Sequence, residues 1–351
     1  MGAETGMNVP DCLAMATVLV TGGSGYLGGW CIAQLLQQGN TVRTTLRSLS
    51  REQEVRDAVG TQADTTNLSF AVADLGSDDG WAEAVAGCDY VLHVASPFPS
   101  AQPKDPDELI VPARDGALRV IKAALDANVQ RIVMTSSVAS VRHPNPMPAE
   151  SHVYSEADWT DGDDTHLSPY VRSKTIAERA AWALVEERGA KDRLATIEPG
   201  AIIGPMLSDT SFSLEAISRL MKGMPAVPRI GFTFVDVRDV ADLHIRAMTD
   251  PKAGGQRYLA VDEFLWMLDV GKVLRERLGD KAKKVPTRQA PNIMLRVMAI
   301  FDPAVRFILD DLGVHTEFTN EKAKSELGWA PRPVADSITE CAQSLLDHNA
   351  V

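Results

Sequence analysis

Short apolar runs alternate with longer amphipathic stretches through the first 200 residues. Runs that predict strands lie at 17–21, 41–46, 68–73, 90–95, 131–136 and 195–197. Between them, apolar residues at helical spacing predict helices over 26–38, 51–59, 79–86, 107–127 and 169–188. Strand and helix repeat about five times, a pattern typical of a parallel sheet wrapped by helices. Pro112 falls inside the fourth helix and predicts that this helix begins or kinks near it.

The alternation ends near residue 200. Beyond it, the pattern predicts a helix over 211–222, strands at 230–237 and near 257–260, and mixed segments to the end. We therefore expect an α/β fold, a Rossmann-type doubly wound parallel sheet with a smaller C-terminal lobe. Residues 15–200, with a return from about 234–260, form the sheet domain in this prediction. Residues 201–351 mainly form the lobe, and residues 1–14 form a disordered tail.

Composition narrows the class of protein. The 351 residues are 45% hydrophobic and 23% charged, as in ordinary soluble domains, and the formal charge of −12 disfavours nucleic-acid binding. The four cysteines lie far apart without a Cys-x-x-Cys pair, which predicts no metal site and a reducing, cytoplasmic location. The apolar segment 293–301 is short and interrupted by Arg296, so we expect no membrane-spanning helix.

A glycine-rich turn follows the first predicted strand and opens the first helix. Gly22, Gly25 and Gly28 have the spacing G-x-x-G-x-x-G. Without side chains at these positions, backbone amides can approach a pyrophosphate at the positive end of a helix. A glycine turn alone is a common connection between a strand and a helix, but its place after the first strand predicts a dinucleotide site.

The end of the second strand indicates which dinucleotide is bound. An acidic residue there contacts the ribose 2′-hydroxyl of NAD, whereas an arginine accommodates the 2′-phosphate of NADP. Arg47 stands at this end, with Arg43 and Arg51 nearby and no acidic residue at the strand end. NADP(H) is therefore predicted, although each arginine also fits a solvated surface position. Asp74, which closes the third strand, can accept a hydrogen bond from the adenine amino group or cap the following turn.

Three residues form a candidate catalytic set. Ser137 ends the fifth strand, and Tyr170 and Lys174 lie one turn apart on the helix that Ser168 and Pro169 begin. A tyrosine has a pKa near 10, and a nearby ammonium group can stabilise its phenolate. Ser137 can orient a carbonyl oxygen at the carboxyl edge of the sheet. The alternative is a partly buried Tyr170 beside a solvated Lys174.

These motifs, in this order, resemble those of the extended short-chain dehydrogenases/reductases. The segments that carry the resemblance are TGGSGYLG, VADL, VLHVASP, MTSS, YVRSK and IEPGAIIGP. The chain is most similar to the dihydroflavonol reductase and cinnamoyl-CoA reductase branch, which includes bacterial aldehyde and ketone reductases. The resemblance implies a catalytic triad of Ser137, Tyr170 and Lys174. It implies cofactor contacts at Gly22, Gly25, Tyr26, Leu27, Gly28, Arg47, Asp74, Leu75, Ala95, Tyr170, Lys174 and Pro199.

The expected activity is NADPH-dependent reduction of an aldehyde or ketone, with Tyr170 as the proton donor. The C-terminal lobe would bind this small-molecule substrate, and the protein would be a monomer or a homodimer. Alternatives are a hydroxysteroid or sterol dehydrogenase, a sugar epimerase using the same triad, and a non-catalytic dinucleotide-sensing regulator. Pocket residues predicted from the sequence, each of which also fits a core position, are Phe98, Met206, Leu207 and Phe212.

Overall fold

The computed structural model describes residues 15–97, 105–149, 151–207, 212–293 and 311–351. Its strands are β1 (Thr17–Thr21), β2 (Thr41–Leu46), β3 (Leu68–Val72), β4 (Tyr90–His93), β5 (Arg131–Thr135), β6 (Val153–Tyr154), β7 (Leu194–Pro199), β8 (Ala201–Ile203), β9 (Gly231–Asp236), β10 (Gln256–Ala260), β11 (Glu263–Trp266) and β12 (Glu317–Phe318). Its α-helices are α1 (Tyr26–Gln37), α2 (Glu52–Gly60), α3 (Trp81–Val85), α4 (Asp107–Asp126), α5 (Pro169–Glu187), α6 (Phe212–Lys222), α7 (Val237–Thr249), α8 (Met267–Leu278), α9 (Glu321–Leu327) and α10 (Val334–Asp347). The predicted tail, residues 1–14, lies outside the described residues.

A parallel sheet forms the centre of the described chain. Its seven strands have the order β10-β7-β5-β4-β1-β2-β3, and each neighbouring pair is parallel. Helices α1, α2 and α7 contribute to the apolar core on one face, and α3, α4 and α5 to the core on the other. The predicted Rossmann-type doubly wound sheet is confirmed. Strand order reverses between β1 and β4, which is where ligands bind in such sheets.

The first half of the sequence pattern and the structure agree closely. Strands β3 and β4 end one and two residues before their predicted ends, at Val72 and His93. Helix α4 begins at Asp107 and continues past Pro112 to Asp126. Because Pro112 lies close to the start of α4, the bond it removes is one of the first in the helix.

A second apolar core lies in the C-terminal half of the chain. Helices α6, α8 and α10 pack there against the small sheet β11-β9-β8. Helix α7 and strand β10 return to the central sheet, and so does α9, followed by the buried Trp329. No helix among the described residues is long and apolar enough to cross a bilayer.

Candidate active site

Most of the residues predicted from the sequence lie at one edge of the central sheet. Gly22 follows β1, Arg47 follows β2, Ala95 lies just beyond β4, Ser137 lies just beyond β5, and Pro199 ends β7. These strands are parallel, so their carboxyl ends meet at the same edge. Residues that are far apart in the sequence therefore border one crevice.

The glycine turn forms a tight backbone cradle at the start of α1. Gly22 has a φ of +74°, a conformation that side chains disfavour. A Cβ on Gly28 would lie 2.3 Å from the carbonyl oxygen of Gly22, and the amide of Gly25 donates to that oxygen at 2.9 Å. The first turn of α1 has no acidic side chain, so its unpaired N–H groups can receive an anion. This cradle fits the pyrophosphate of a dinucleotide.

Tyr26 and Leu27 direct their side chains into the protein interior. Leu27 belongs to the apolar core, and the Tyr26 hydroxyl is buried without a hydrogen-bond partner among the described residues. Burial raises the pKa of Tyr26 well above its usual value, and the nearby Cys341 and Asp236 raise it further. These two residues can therefore contact a pyrophosphate through their backbone amides.

The three arginines near the end of β2 have different environments. Arg43 donates to the carbonyl oxygens of Ala84 at 2.9 Å and Ala86 at 2.8 Å, at the C-terminus of α3. Arg51 forms an ion pair of 2.6 Å with Glu54. Arg47 is exposed and has neither a hydrogen bond nor an ion pair with any residue that the structure describes. Arg47 is the arginine of this group that remains available for a phosphate.

Asp74 and Leu75 lie in the turn after β3. Asp74 is exposed, and its side chain accepts a hydrogen bond from the amide of Gly76 at 2.7 Å, which is the turn-capping role that the sequence left open. The Leu75 carbonyl oxygen accepts from Arg119 at 2.8 Å. A contact of either residue with adenine stays a prediction.

Ser137 and Tyr170 meet at the carboxyl edge. The side chains of the two residues are hydrogen-bonded to each other, and the Ser137 hydroxyl also accepts from the amide of Ala139 at 3.1 Å. Ser168 caps α5 by accepting from the amide of Val171 at 3.3 Å, as its sequence position predicts. Burial raises the pKa of Tyr170, while the bond to Ser137 and the charge of Arg142 act in the opposite direction.

Lys174 lies on the same helix but has a different partner. Its ammonium group donates to the Ser96 hydroxyl at 3.1 Å, a contact that the sequence did not indicate. Burial lowers the pKa of Lys174 to about 8, although the charge of Glu178 acts to raise it. The sequence assigned to Lys174 the positive charge that acts on Tyr170. In the structure Arg142 is a cation that acts on this phenol, and the Lys174 ammonium group donates to Ser96. The role of Lys174 toward Tyr170 stays a prediction.

His93 adjoins this group as a neutral residue. Its Nδ1 atom lies 2.9 Å from the Thr21 hydroxyl, which also accepts from the amide of Ala95 at 3.0 Å. Burial and the charge of Lys174 lower the pKa of His93 to about 3. His93 therefore supports the ends of β1 and β4 and does not carry a proton near neutral pH.

A cavity is lined by Val138, the residue after Ser137, and by Arg142, whose charge acts on Tyr170. Arg142 and Asp311 both line it and form an ion pair of 3.0 Å. The other lining residues are mostly apolar: Val138, Ala201, Gly231, Phe232, Thr233, Phe264, Val314, Thr316 and Phe318. Three phenylalanines thus contribute to a mostly apolar wall, and one ion pair provides its charge.

The predicted pocket residues occupy other places. Met206 is buried in the second core with α6 and α10 and is not among the residues that line this cavity, so its role in a pocket stays a prediction. Leu207 is partly buried against the first core, near Gly29 of α1. Phe98 and the side chain of Phe212 lie outside the described residues. Sequence reasoning missed the cavity because its wall comes from five separate segments.

The comparisons with known proteins identify the family of the chain. The model of the "NAD dependent epimerase/dehydratase family" matches residues 18–260. "Cinnamoyl-CoA reductase CAD2" of Medicago truncatula is 35% identical over 334 residues, covering 93% of this chain and 95% of that protein. "Dihydroflavonol 4-reductase" of Gerbera hybrida is 32% identical over 273 residues, covering 75% of this chain and 72% of that protein.

A solved structure shows the same fold. The yeast methylglyoxal/isovaleraldehyde reductase Gre2, solved with NADPH, has a TM-score of 0.79 and 23% identity, and the match covers 95% of this chain and 99% of that chain. The family model spans more than half of the 351 residues, and the plant reductases match most of the chain. The chain therefore belongs to the NAD dependent epimerase/dehydratase family, the extended short-chain dehydrogenases/reductases that its motifs predicted.

Proposed function

We propose that this protein reduces an aldehyde or ketone to the alcohol with NADPH. The observation that carries the proposal is the hydrogen-bonded pair of Ser137 and Tyr170 beside the cavity, at the edge that also holds the glycine cradle. The curated relatives are named as reductases, and the yeast relative was solved with NADPH, which supports the same activity here. A non-catalytic regulator has no need for this arrangement.

Each residue of the proposed triad has a separate task. Ser137 orients the carbonyl oxygen, and Tyr170 donates a proton to it. Because burial raises the pKa of Tyr170, the hydroxyl keeps its proton until a carbonyl oxygen is ready to accept it. Lys174 and Ser96 would hold the ribose next to the nicotinamide. The reduced dinucleotide, when bound, supplies the hydride that the carbonyl carbon accepts.

A panel of carbonyl compounds tests this function directly. The purified protein should oxidise NADPH in the presence of aromatic or branched aldehydes and ketones, because the cavity wall is mostly apolar and includes three phenylalanines. Loss of NADPH absorbance and chromatographic detection of the alcohol are the measurements, with NADH assayed in parallel. The proposal fails if no carbonyl compound is reduced, or if the protein only oxidises a hydroxysteroid with NAD.

Replacing Arg47 by alanine should reduce the preference for NADPH. Charge-assisted hydrogen bonds contribute about 1.5–3 kcal/mol, so kcat/KM for NADPH should fall by roughly 10- to 150-fold. NADH has no 2′-phosphate, and its kcat/KM should change little. Arg51→Ala is the matched control, since Arg51 lies in the same turn but is paired with Glu54. An equal fall in kcat/KM with NADPH and NADH would show that Arg47 does not bind the 2′-phosphate.

A further inference from the structure

A buried charged cluster lies next to the proposed triad. Glu178 is on α5, four residues after Lys174, so helical geometry places both on one face. Glu198 lies near the end of β7, Arg257 lies on β10, and the side chains of both glutamates are fully buried. Nε of Arg257 is 2.7 Å from Oε1 of Glu178 and 3.6 Å from Oε1 of Glu198. Two carboxyl groups therefore face one guanidinium.

The hydrogen bonds distinguish the two glutamates. Glu178 accepts from the Ser136 hydroxyl at 2.5 Å and from the Trp182 indole at 3.3 Å, in addition to Arg257. Glu198 accepts from the Thr196 hydroxyl at 2.5 Å, and its Oε2 atom has no partner in the part of the chain that the structure describes. A carboxylate needs donors around both oxygens when it is buried. Glu178 has them and Glu198 lacks them.

The two pKa shifts agree with these contacts. Burial opposes ionisation of Glu178, but the charge and hydrogen bonds of Arg257 and the Ser136 hydroxyl hold its pKa below the usual value. Burial and the charge of Glu178 raise the pKa of Glu198 well above the usual value. Of the two carboxyl groups, Glu178 is therefore the one whose ionised form the cluster stabilises, and Glu198 is the one whose ionisation it opposes.

Glu178 connects the two elements that carry the triad. Its bond to Ser136 fixes the end of β5, where Ser137 is the next residue, against the helix that carries Lys174. Its negative charge is what raises the pKa of Lys174 against the effect of burial. The group that faces Lys174 from β4 is His93, which is neutral, and the segment after β4 offers the Ser96 hydroxyl. On its own helix, Tyr170 is also neutral near pH 7.

We infer that Glu178 is a positioning residue, which holds Ser137 and Lys174 in register and provides the negative charge that keeps Lys174 an ammonium group. Glu198, at the same depth and beside the same arginine, has no such role. The kinetic meaning of this inference rests on the proposed function. The relation between the charges of Glu178 and Lys174, however, is a property of the chain itself and can be measured without a cofactor.

The first test measures the titration of Lys174 in the cofactor-free protein. Competitive acetylation with acetic anhydride over a pH series, read by peptide mass spectrometry, should give a midpoint of about 8 for the wild type. Removing an opposite charge nearby should lower this midpoint by roughly half to one pH unit in Glu178→Gln. Glu198→Gln should leave the midpoint unchanged, and Glu178→Asp should restore most of it. An unchanged midpoint in Glu178→Gln, or an equal shift in Glu198→Gln, overturns the inference.

The second test uses the reaction. Because Lys174 must stay protonated, kcat/KM for the carbonyl should fall as pH rises through its pKa, and this basic limb should move to lower pH in Glu178→Gln only. Near neutral pH, kcat/KM of Glu178→Gln should be about tenfold lower than that of the wild type, because Ser137 and Lys174 are less well positioned. A tenfold loss corresponds to about 1.4 kcal/mol. A thermal melt checks that each variant is folded. An inactive wild type would overturn the proposed function, whereas the acetylation midpoints decide the inference in either case.

Discussion

Replacing Tyr170 by phenylalanine should lower kcat for carbonyl reduction by about 10²- to 10⁴-fold, the usual contribution of a positioned general acid. The Tyr170 hydroxyl is hydrogen-bonded to Ser137. Phenylalanine has no hydroxyl group and therefore cannot donate this proton. The ring remains, so the packing of α5 and the affinity for NADPH should change little. Steady-state kinetics with a fluorescence titration of NADPH separates the loss of chemistry from a loss of binding.

Tyr154→Phe is the matched control for this variant. Tyr154 packs against Phe318, a residue of the cavity wall, with ring centroids 5.6 Å apart. It therefore loses a hydroxyl near the same cavity without touching the triad, and its kcat should stay within about twofold of the wild type. Similar kcat values for Tyr170→Phe and the wild type would mean that another group protonates the oxygen.

The features that were predictable from the sequence are those with local signals. Gly22, Gly25 and Gly28 are encoded within seven residues, and the spacing of Tyr170 and Lys174 follows from one helical turn. The rule that parallel strands share a carboxyl edge then brought Ser137 to the same place as the glycine turn. Local patterning and the order of the strands along the chain were sufficient to predict the sheet and this edge. The same motifs carried the family resemblance, which the comparisons confirmed.

The features that were missed depend on tertiary contacts. The contact of Arg257 with Glu178 joins residues 79 positions apart, and the pair of Arg142 and Asp311 joins segments from the two halves of the chain. The periodicity of apolar residues along the sequence does not indicate such contacts. Glu178 is a partial exception, because its spacing from Lys174 was visible in the sequence, but a glutamate on a helix is usually solvated and only the structure shows this one to be buried.

The C-terminal half was harder to predict for another reason. Helix α7 returns to the central sheet while its neighbours α6 and α8 pack in the second core. Elements that are adjacent in the sequence thus bury their apolar faces in different cores. The same interleaving placed Met206 in the second core, where its backbone amide donates to the Ser344 hydroxyl at 3.0 Å. Short strands such as β8 and β11 carry too few residues for a clear alternation.

The double variant Glu178→Gln/Glu198→Gln should lose far more stability than either single variant. In Glu178→Gln, Glu198 lies 3.6 Å from Arg257 and can ionise to balance its charge. In Glu198→Gln, an amide replaces a carboxyl group whose ionisation is already opposed by burial and by the charge of Glu178. Both single variants should therefore remain folded. With both carboxyl groups removed, Arg257 stays buried at 7% exposure without either ion-pair partner and with only the charge of Glu156 nearby. Removing the partners of a buried charge typically costs about 3–5 kcal/mol.

Urea unfolding of the four proteins measures this coupling as a double-mutant cycle. The free energy of unfolding should fall much more in the double variant than the sum of its decreases in the two single variants. The reason is that each glutamate can replace the other as the partner of Arg257. Simple additivity would show that the carboxyl groups do not share the arginine. Adding Arg257→Met to the double variant should recover stability, since an apolar side chain of similar length removes the unpaired charge, although it also loses the stacking of Arg257 on Trp159 at 3.6 Å. If stability recovers when Arg257 is replaced, the instability of the double variant comes from the unpaired charge of Arg257. It then does not come from lost packing around the two glutamates.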